Sequence, residues 1–366
     1  MTTAMLFIIG GLATLVVGGE LLVRGASRIA ALAGVSPLVI GLTVVAFGTS
    51  SPELAVSLKA SLGGQTDIAI GNVVGSNIFN VLFILGLSAL VTPLVVSSQL
   101  IRVDVPIMIL VSVALLVLGL DGRIGRIDGI GLFLGLICYV GWSLRQSRKE
   151  AAAVQRESEQ GSTETPKGIS AQMVLQIGLI LVGLLLLTLG ARWLVHGSVT
   201  IAQVLGMSEL LIGLTIIAAG TSLPEVAASI LASIKGERDI AVGNVVGSNI
   251  FNIMCVLGLS AGVAPNGIEV SPTALHLDIP VMIAVSVACL PIFFTGHVIA
   301  RWEGGLFFAY YCMYTASLIL AATNEYASRT FGGIMLGFVI PLTVITLIIS
   351  VVRSAKPVLA SKGRID

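Results

Sequence analysis

Two glutamates, Glu53 and Glu225, stand inside long apolar stretches with no buried Lys or Arg expected nearby in sequence. A carboxylate near the middle of a bilayer costs roughly 2.5–3.5 kcal/mol on insertion scales, so each needs a compensating charge. Oxygen donors surround both. Thr49 lies four residues before Glu53, and Asn72, Ser76 and Asn80 follow one another at the same spacing. Residues four apart share a helix face. The second copy repeats this with Thr221 and Glu225, then Asn244, Ser248 and Asn252. Pro52 and Pro224 lack an N–H and leave the carbonyls of Gly48 and Gly220 without their helical partners. Carboxylate, hydroxyl, amide and freed carbonyl oxygens together make the kind of site, of about six to eight oxygens, that calcium prefers.

These residues belong to a sentence written twice. Residues 41–81 and 213–253 align without a gap at an offset of 172, and 27 of the 41 positions are identical, polar ones included. Packing requires matching apolar faces; it does not require matching carboxylates. Weaker echoes extend the repeat: GGELLVRG near Gly18 with GARWLVHG near Gly190, and DVPIMI at Asp104 with DIPVMI at Asp278. Glu20, Asp104 and Asp278 are expected at span ends, as helix caps or vestibule charges.

The elements that must position the site are membrane helices. Of 366 residues, 56% are hydrophobic and only 11% charged, and the apolar runs reach the ~20 residues needed to cross hydrocarbon. Backbone groups in lipid must be satisfied internally, so the spans are helical. Spans are expected near 4–23, 36–61, 67–91, 103–120, 127–144, 171–191, 208–234, 240–263, 277–295, 303–322 and 331–352. The fold class is thus an all-α polytopic membrane protein: two groups of five helices plus one extra C-terminal helix. The first span lacks a basic start and a cleavage site and reads as a retained helix. The polar stretch Arg145 to Lys167 is the one long linker, which sets the parts at 1–146, a cytoplasmic linker 147–168, a second half 169–322, and 323–366 for the extra helix and tail. Five spans per repeat is an odd number, so the second copy enters the membrane upside down, as in secondary transporters with a midplane site. With the N-terminus outside, 15 of the 20 Lys and Arg fall on the cytoplasmic side, together with the C-terminal tail.

Other classes are poorly served. No G-x-x-x-x-G-K-[ST] loop is present, nor a Ser–His or His-rich arrangement for hydrolysis, so an enzyme is not expected. Cys138, Cys255, Cys289 and Cys312 are expected as small buried hydrophobes. His196, His276 and His297 form no sequence cluster. A passive channel builds its filter from rings contributed by several subunits, unlike two unequal copies in one chain. No cofactor, nucleic acid or obligate protein partner is implied; the substrates are ions and the surroundings lipid.

GTSSPE and GTSLPE, each followed by GNVVGSNIFN, resemble the alpha-repeats of the cation/calcium exchanger superfamily. The resemblance is strongest to the sodium/calcium exchanger (calcium/sodium antiporter) family in its short prokaryotic form and covers about the first 320 residues. It implies a ten-helix inverted-repeat fold in a plasma or inner membrane, with sodium exchanged for calcium by alternating access, usually three to one, in calcium extrusion and homeostasis. The positions matching the family's ligands are Ala46, Thr49, Ser50, Glu53, Ser76 and Asn80, then Ala218, Thr221, Ser222, Glu225, Ser248 and Asn252. By the same resemblance Ala and Thr act through carbonyls, and Asn77 and Asn249 stand just outside the ligand set. Potassium-dependent relatives carry Asp where this chain has Asn252, which argues against potassium cotransport, and the linker is too short for the calcium-sensing insertion of animal exchangers. Two ionised glutamates carry −2: one calcium neutralises them and three sodium ions leave +1, an electrogenic cycle. Proton/calcium antiport through the same glutamates is the alternative, because two crowded, poorly hydrated carboxylates also attract protons.

Overall fold

A computed structural model describes residues 1–158, 169–323, 325–346 and 348. Its long elements are helices: α1 (Thr2–Ala33), α2 (Pro37–Thr49), α3 (Ser51–Leu62), α4 (Thr66–Val91), α5 (Leu100–Leu118), α6 (Arg126–Ser158), α7 (Ile169–Val204), α8 (209–220), α9 (Leu223–Ile234), α10 (Arg238–Val263), α11 (Ala274–Phe294), α12 (Arg301–Thr323) and α13 (Arg329–Thr346). Among the described residues nine helices are long and apolar enough to cross a membrane, or ten if α2 and α3, bent by 46°, form one span. The chain is an integral membrane protein. The expected span 208–234 is two short helices, separated at Thr221 and Ser222 just before Pro224. The only strands among the described residues are two-residue pairs between helix ends, Leu94–Val95 with Val298–Ile299 and Arg123–Ile124 with Ile268–Glu269.

Burial sorts the helices. The apolar windows of α4 and α10, which carry the two GNVVGSNIFN strings, are 78% and 100% buried, against 33% for α1 and 22% for α7. The repeats therefore occupy the centre, and the other long helices turn apolar faces outward. Such faces suit lipid, as an exterior of Leu, Val and Ile would not suit water.

Glycine sets how closely the outer pair α1 and α7 approaches. α1 and α7 run antiparallel with glycines every seven residues: Gly11, Gly18 and Gly25 on one, Gly183, Gly190 and Gly197 on the other. A Cβ on Gly18 would lie 2.8 Å from the backbone nitrogen of Leu187 and 2.9 Å from the carbonyl of Gly183. Small residues let membrane helices touch backbone to backbone. Gly18→Val is expected to force the pair apart at a cost of about 1–3 kcal/mol, read as a melting temperature several degrees lower in detergent; an unchanged melting curve contradicts this packing.

π-helical turns, which widen the helix by one residue, interrupt α2 (Gly41–Val45), α4 (Asn80–Leu85), α5 (Leu100–Asp104), α8 (Gly213–Ile217), α10 (Asn252–Leu257), α11 (Ala274–Asp278) and α13 (Met335–Val339). Such turns often mark functional sites, and those of α4 and α10 begin at Asn80 and Asn252.

Some expectations change. α1 continues to Ala33, so Glu20 lies within it and forms an ion pair with Lys235 at the end of α9. α6 runs on through Arg145 to Ser158, because RQSRKEAAAVQRES is made largely of good helix formers; the rest of the expected linker, 159–168, and residues 349–366, which hold the end of the last expected span and the expected tail, lie outside the described residues. Cys255 and Cys289 are buried, but Cys138 and Cys312 are exposed on the outer faces of their helices. Asp104 is not an end cap: its helix continues through it and its carboxylate is fully buried, accepting from Tyr139 Oη at 2.9 Å and Gln99 Nε2 at 3.3 Å. Asp278 has a looser counterpart contact, 3.5 Å from Tyr314 Oη.

Candidate ion-binding site

The two helix breaks carry the two acids. The chain leaves α2 at Ser50, with φ −79° and ψ 7°, and re-enters a helix with Pro52 in the first turn of α3. Ser222, at φ −90° and ψ 8°, does the same before Pro224 and α9. Proline fits this place because the first N–H groups of a helix have no internal acceptor. Glu53 and Glu225 thus sit in the first turns of α3 and α9, where the helix dipole favours negative charge.

The breaks face each other through crossed hydrogen bonds. Ser50 Oγ lies 3.1 Å from Oε1 of Glu225, and Ser222 Oγ lies 2.9 Å from Oε1 of Glu53. Each serine belongs to one copy and its carboxylate to the other. Ser222 Oγ also lies 3.2 Å from Ser76 Oγ. Thr49 Oγ1 donates to Asn244 Oδ1 at 3.1 Å, and Thr221 Oγ1 lies 3.5 Å from Asn72 Oδ1. Asn72 and Asn244 donate in turn to Ser57 and Ser229, both at 2.9 Å. Deeper in, Asn80 Nδ2 donates to Asn249 Oδ1 and Asn252 Nδ2 to Asn77 Oδ1, both at 3.1 Å.

Both glutamates are fully buried. Their second oxygens, Glu53 Oε2 and Glu225 Oε2, have no hydrogen-bond partner, nor do Asn80 Oδ1, Asn252 Oδ1 and Ser248 Oγ. Other partnerless buried polar atoms, such as Ser88 Oγ and Ser143 Oγ, are scattered; these lie on the hydrogen-bonded groups just described or, for Ser248, next to Asn249 in the chain. A buried oxygen without a partner costs about 1–3 kcal/mol, more when charged. The buried polar and charged residues among those described include no Lys, Arg or His. No cluster of three His, Cys, Asp or Glu occurs among the described residues, so the donors are two carboxylates and neutral oxygens. That composition suits a hard cation that must also leave.

The copies differ in closure. A cavity of about 460 Å³ opens between α3 and α7, lined by Pro52, Ala55, Val56, Arg192, Val195 and His196, and reaches Gly220 and Thr221 of the second break. A Cβ on Gly243 or Gly247 would meet the carbonyls of Leu38 and Leu42 at 2.8 and 2.5 Å, whereas on Gly71 or Gly75 it would meet open space. α10 is thus packed onto α2, while α4 stands away from α8. The opposite face is shut by α1, where a Cβ on Gly19 would lie 2.5 Å from Leu231 Cδ1, and where Ser27 Oγ donates to Glu237 Oε1 at 2.6 Å.

The family model described as sodium/calcium exchanger protein matches residues 3–145 and 175–320. The chain belongs to the sodium/calcium exchanger family. Exchangers of this family are transporters of sodium and calcium ions, and cation/calcium exchange is the activity of the class. The sodium/calcium exchanger MaX1 of Methanosarcina acetivorans is 34% identical over 348 residues, 87% of this chain and 99% of that one. The inner membrane protein YrbG of Escherichia coli K12 is 41% identical over 289 residues, 78% of this chain and 87% of that one. A solved structure of the sodium-calcium exchanger NCX_Mj, soaked with zero Na+ and Ca2+, superposes with a TM-score of 0.73 at 32% identity, covering 87% of this chain and 99% of that one.

In this exchanger the residues expected as ligands are brought together unevenly. Glu53, Glu225, Ser50, Ser222, Ser76, Thr49, Asn80 and Asn252 enter the network directly. Ser248 is buried beside it with its hydroxyl unpaired. Ala46 is fully buried, and its carbonyl accepts from Ser50 N at 3.0 Å and from Thr49 Oγ1 at 3.4 Å. Ala218 is exposed, on the side where α8 stands off, and Thr221 is half-buried at the cavity's inner end. Sequence spacing pointed to Asn72 and Asn244 as donors on the ligand face; here they tie the threonines to Ser57 and Ser229. Met108 and Met282 were missed, though both lie in the repeated motif that begins at Asp104 and Asp278.

Proposed function

We propose that this chain exchanges three sodium ions for one calcium ion by alternating access, without potassium, in calcium extrusion. Its parts are two inverted halves, 1–146 and 169–322, a cytoplasmic linker at 147–168, and an extra helix with a cytoplasmic tail at 323–366. The cations are held by Glu53 and Glu225 together with Thr49, Thr221, Ser50, Ser222, Ser76, Ser248, Asn80 and Asn252, and by the carbonyls of Ala46 and Ala218. The observation that carries this reading is the set of buried, partnerless oxygens on Glu53, Glu225, Asn80, Asn252 and Ser248, with no Lys, Arg or His among the buried residues described. Only a cation relieves both the desolvation and the mutual repulsion of the acids. Neutral Asn252 leaves the site at −2, which supports exchange without potassium.

The difference in closure supports alternating access. With the N-terminus outside and the C-terminus cytoplasmic, the cavity beside α7 opens to the exterior, and the contact of α1 with α9 shuts the cytoplasmic face. In the other state α8 closes onto α4, bringing Ala218 into the site, and α1 withdraws from α9. Sodium-driven calcium flux in proteoliposomes tests the function. Calcium accumulation driven by a sodium gradient is expected at symmetric pH; a pH gradient in sodium-free medium is expected to drive none. The reverse result makes the protein a proton/calcium antiporter at the same glutamates, and calcium movement without any counter-gradient makes it a passive pathway.

A further inference from the structure

We infer that Met108 and Met282 are positioning residues that fix which end of the central asparagine amides faces the cations; this rests on the site reading proposed above. An amide has an oxygen end and an NH2 end of similar shape, and only the oxygen end ligates a cation. Something must choose between them. Asn80 Nδ2 donates to Asn249 Oδ1, and Asn252 Nδ2 donates to Asn77 Oδ1. Those bonds turn the oxygens of Asn80 and Asn252 away from their neighbours, and both oxygens are buried without a partner. The choice therefore passes back to Asn249 and Asn77.

At both, the amide NH2 ends on a thioether. Asn249 Nδ2 lies 3.4 Å from Met108 Sδ, and Asn77 Nδ2 lies 3.5 Å from Met282 Sδ. The two methionines are at most 1% exposed. A thioether carries no hydrogen and can only accept. Rotating Asn249 by half a turn would set its oxygen against sulfur and its NH2 against the NH2 of Asn80. Asn80 would then turn as well and present NH2, with its positive partial charge, to the cations. The thioether thus sets the polarity of a two-amide relay. Met108 and Met282 hold equivalent places in DVPIMI and DIPVMI, four residues after Asp104 and Asp278. The Tyr139 and Tyr314 contacts of those aspartates hold α5 and α11 at that part of the fold.

The relays are not equally redundant. Asn77 Nδ2 also donates to the carbonyl of Asn249 at 3.2 Å, a second acceptor that enforces the same orientation. For Asn249, Met108 Sδ is the acceptor its amide has among the described residues. Removing one thioether should therefore matter far more than removing the other.

The test is Met108→Leu against Met282→Leu in the full chain, each keeping volume and apolarity while removing the acceptor. Flux in proteoliposomes gives KM for sodium and calcium and the maximal rate; melting in detergent, with and without calcium, gives stability and ion binding. Losing one hydrogen bond predicts a KM for calcium about three- to tenfold higher in Met108→Leu, a smaller calcium-induced rise in melting temperature, an ion-free melting temperature lowered by no more than a few degrees by the unpaired amide, and a maximal rate within about twofold. Met282→Leu is expected to change KM less than about twofold, given its second acceptor. In an Asn80→Asp background, whose carboxylate has no NH2 end, Met108→Leu should add nothing. Equal effects of the two leucine variants, an unchanged KM in Met108→Leu, or a loss that follows the ion-free melting temperature would overturn the assignment. Glu53→Gln is measured alongside: normal exchange there overturns the site reading itself, whereas an inactive Glu53→Gln with an unaffected Met108→Leu overturns only the role of the methionine.

Discussion

Glu53→Gln and Glu225→Gln are each expected to lower sodium-driven calcium flux by at least a hundredfold while the protein still folds. Each substitution removes one of the two negative charges that the proposed site offers the cations and one partnerless carboxylate oxygen. Interactions with charged groups are worth about 1.5–3 kcal/mol even when partly compensated, and each 1.4 kcal/mol is a factor of ten. Calcium needs two charges for neutrality in a site that holds no other acid among its ligands, so the loss falls at the upper end of that range or beyond. Stability moves the other way. Glutamine keeps the shape, can still accept from Ser222 or Ser50, and costs less than a carboxylate in a dry interior. Flux and melting measured on the same preparation separate the two effects. Normal flux in either variant removes that glutamate from the site, and loss of folding in both makes them structural.

Under the proposed three-for-one exchange, imposing 100 mV across the vesicle membrane is expected to shift the calcium ratio at which net flux stops by about fiftyfold. One net charge crosses per cycle if the empty site contributes −2 in both directions, and each elementary charge is worth about 2.3 kcal/mol per 100 mV. Dividing by 1.4 kcal/mol per decade gives somewhat under two decades. The sign is fixed: an inside-negative potential draws sodium in and drives calcium out. Clamping vesicles with a potassium gradient and an ionophore, then titrating external calcium to the reversal point, measures the shift. A reversal point indifferent to voltage implies two sodium ions per calcium and leaves the glutamate site intact. A dependence on potassium at fixed voltage removes the argument from Asn252.

The acids, their oxygen-rich neighbours and the helix-breaking prolines were legible because lipid imposes so strong a rule. In a chain with 11% charged residues, a doubled carboxylate within an apolar run stands out, and few roles other than a cation site can compensate it. Span positions were legible for the same reason, since hydrocarbon fixes their length. Where the reading failed, the decisive quantity was not local. Asp104 looks like a cap because an acid near a span start usually is one; its burial against Tyr139 depends on α5 and α6 meeting. α1 runs ten residues beyond its expected end at 23, and there Ser27 donates to Glu237 across the fold, a contact that no local pattern shows.

By itself, then, the sequence determined the class of molecule, the two acids and most of the oxygens around them, because burial of charge in lipid admits few solutions and repetition marks which residues matter. Only the tertiary structure decided that Ser50 serves the distant Glu225 and Ser222 the distant Glu53, that α8 stands open while α2 is packed, and that methionines back the asparagines. Those are relations between helices far apart in the chain, and spacing along one helix carries no information about which face of another it will meet.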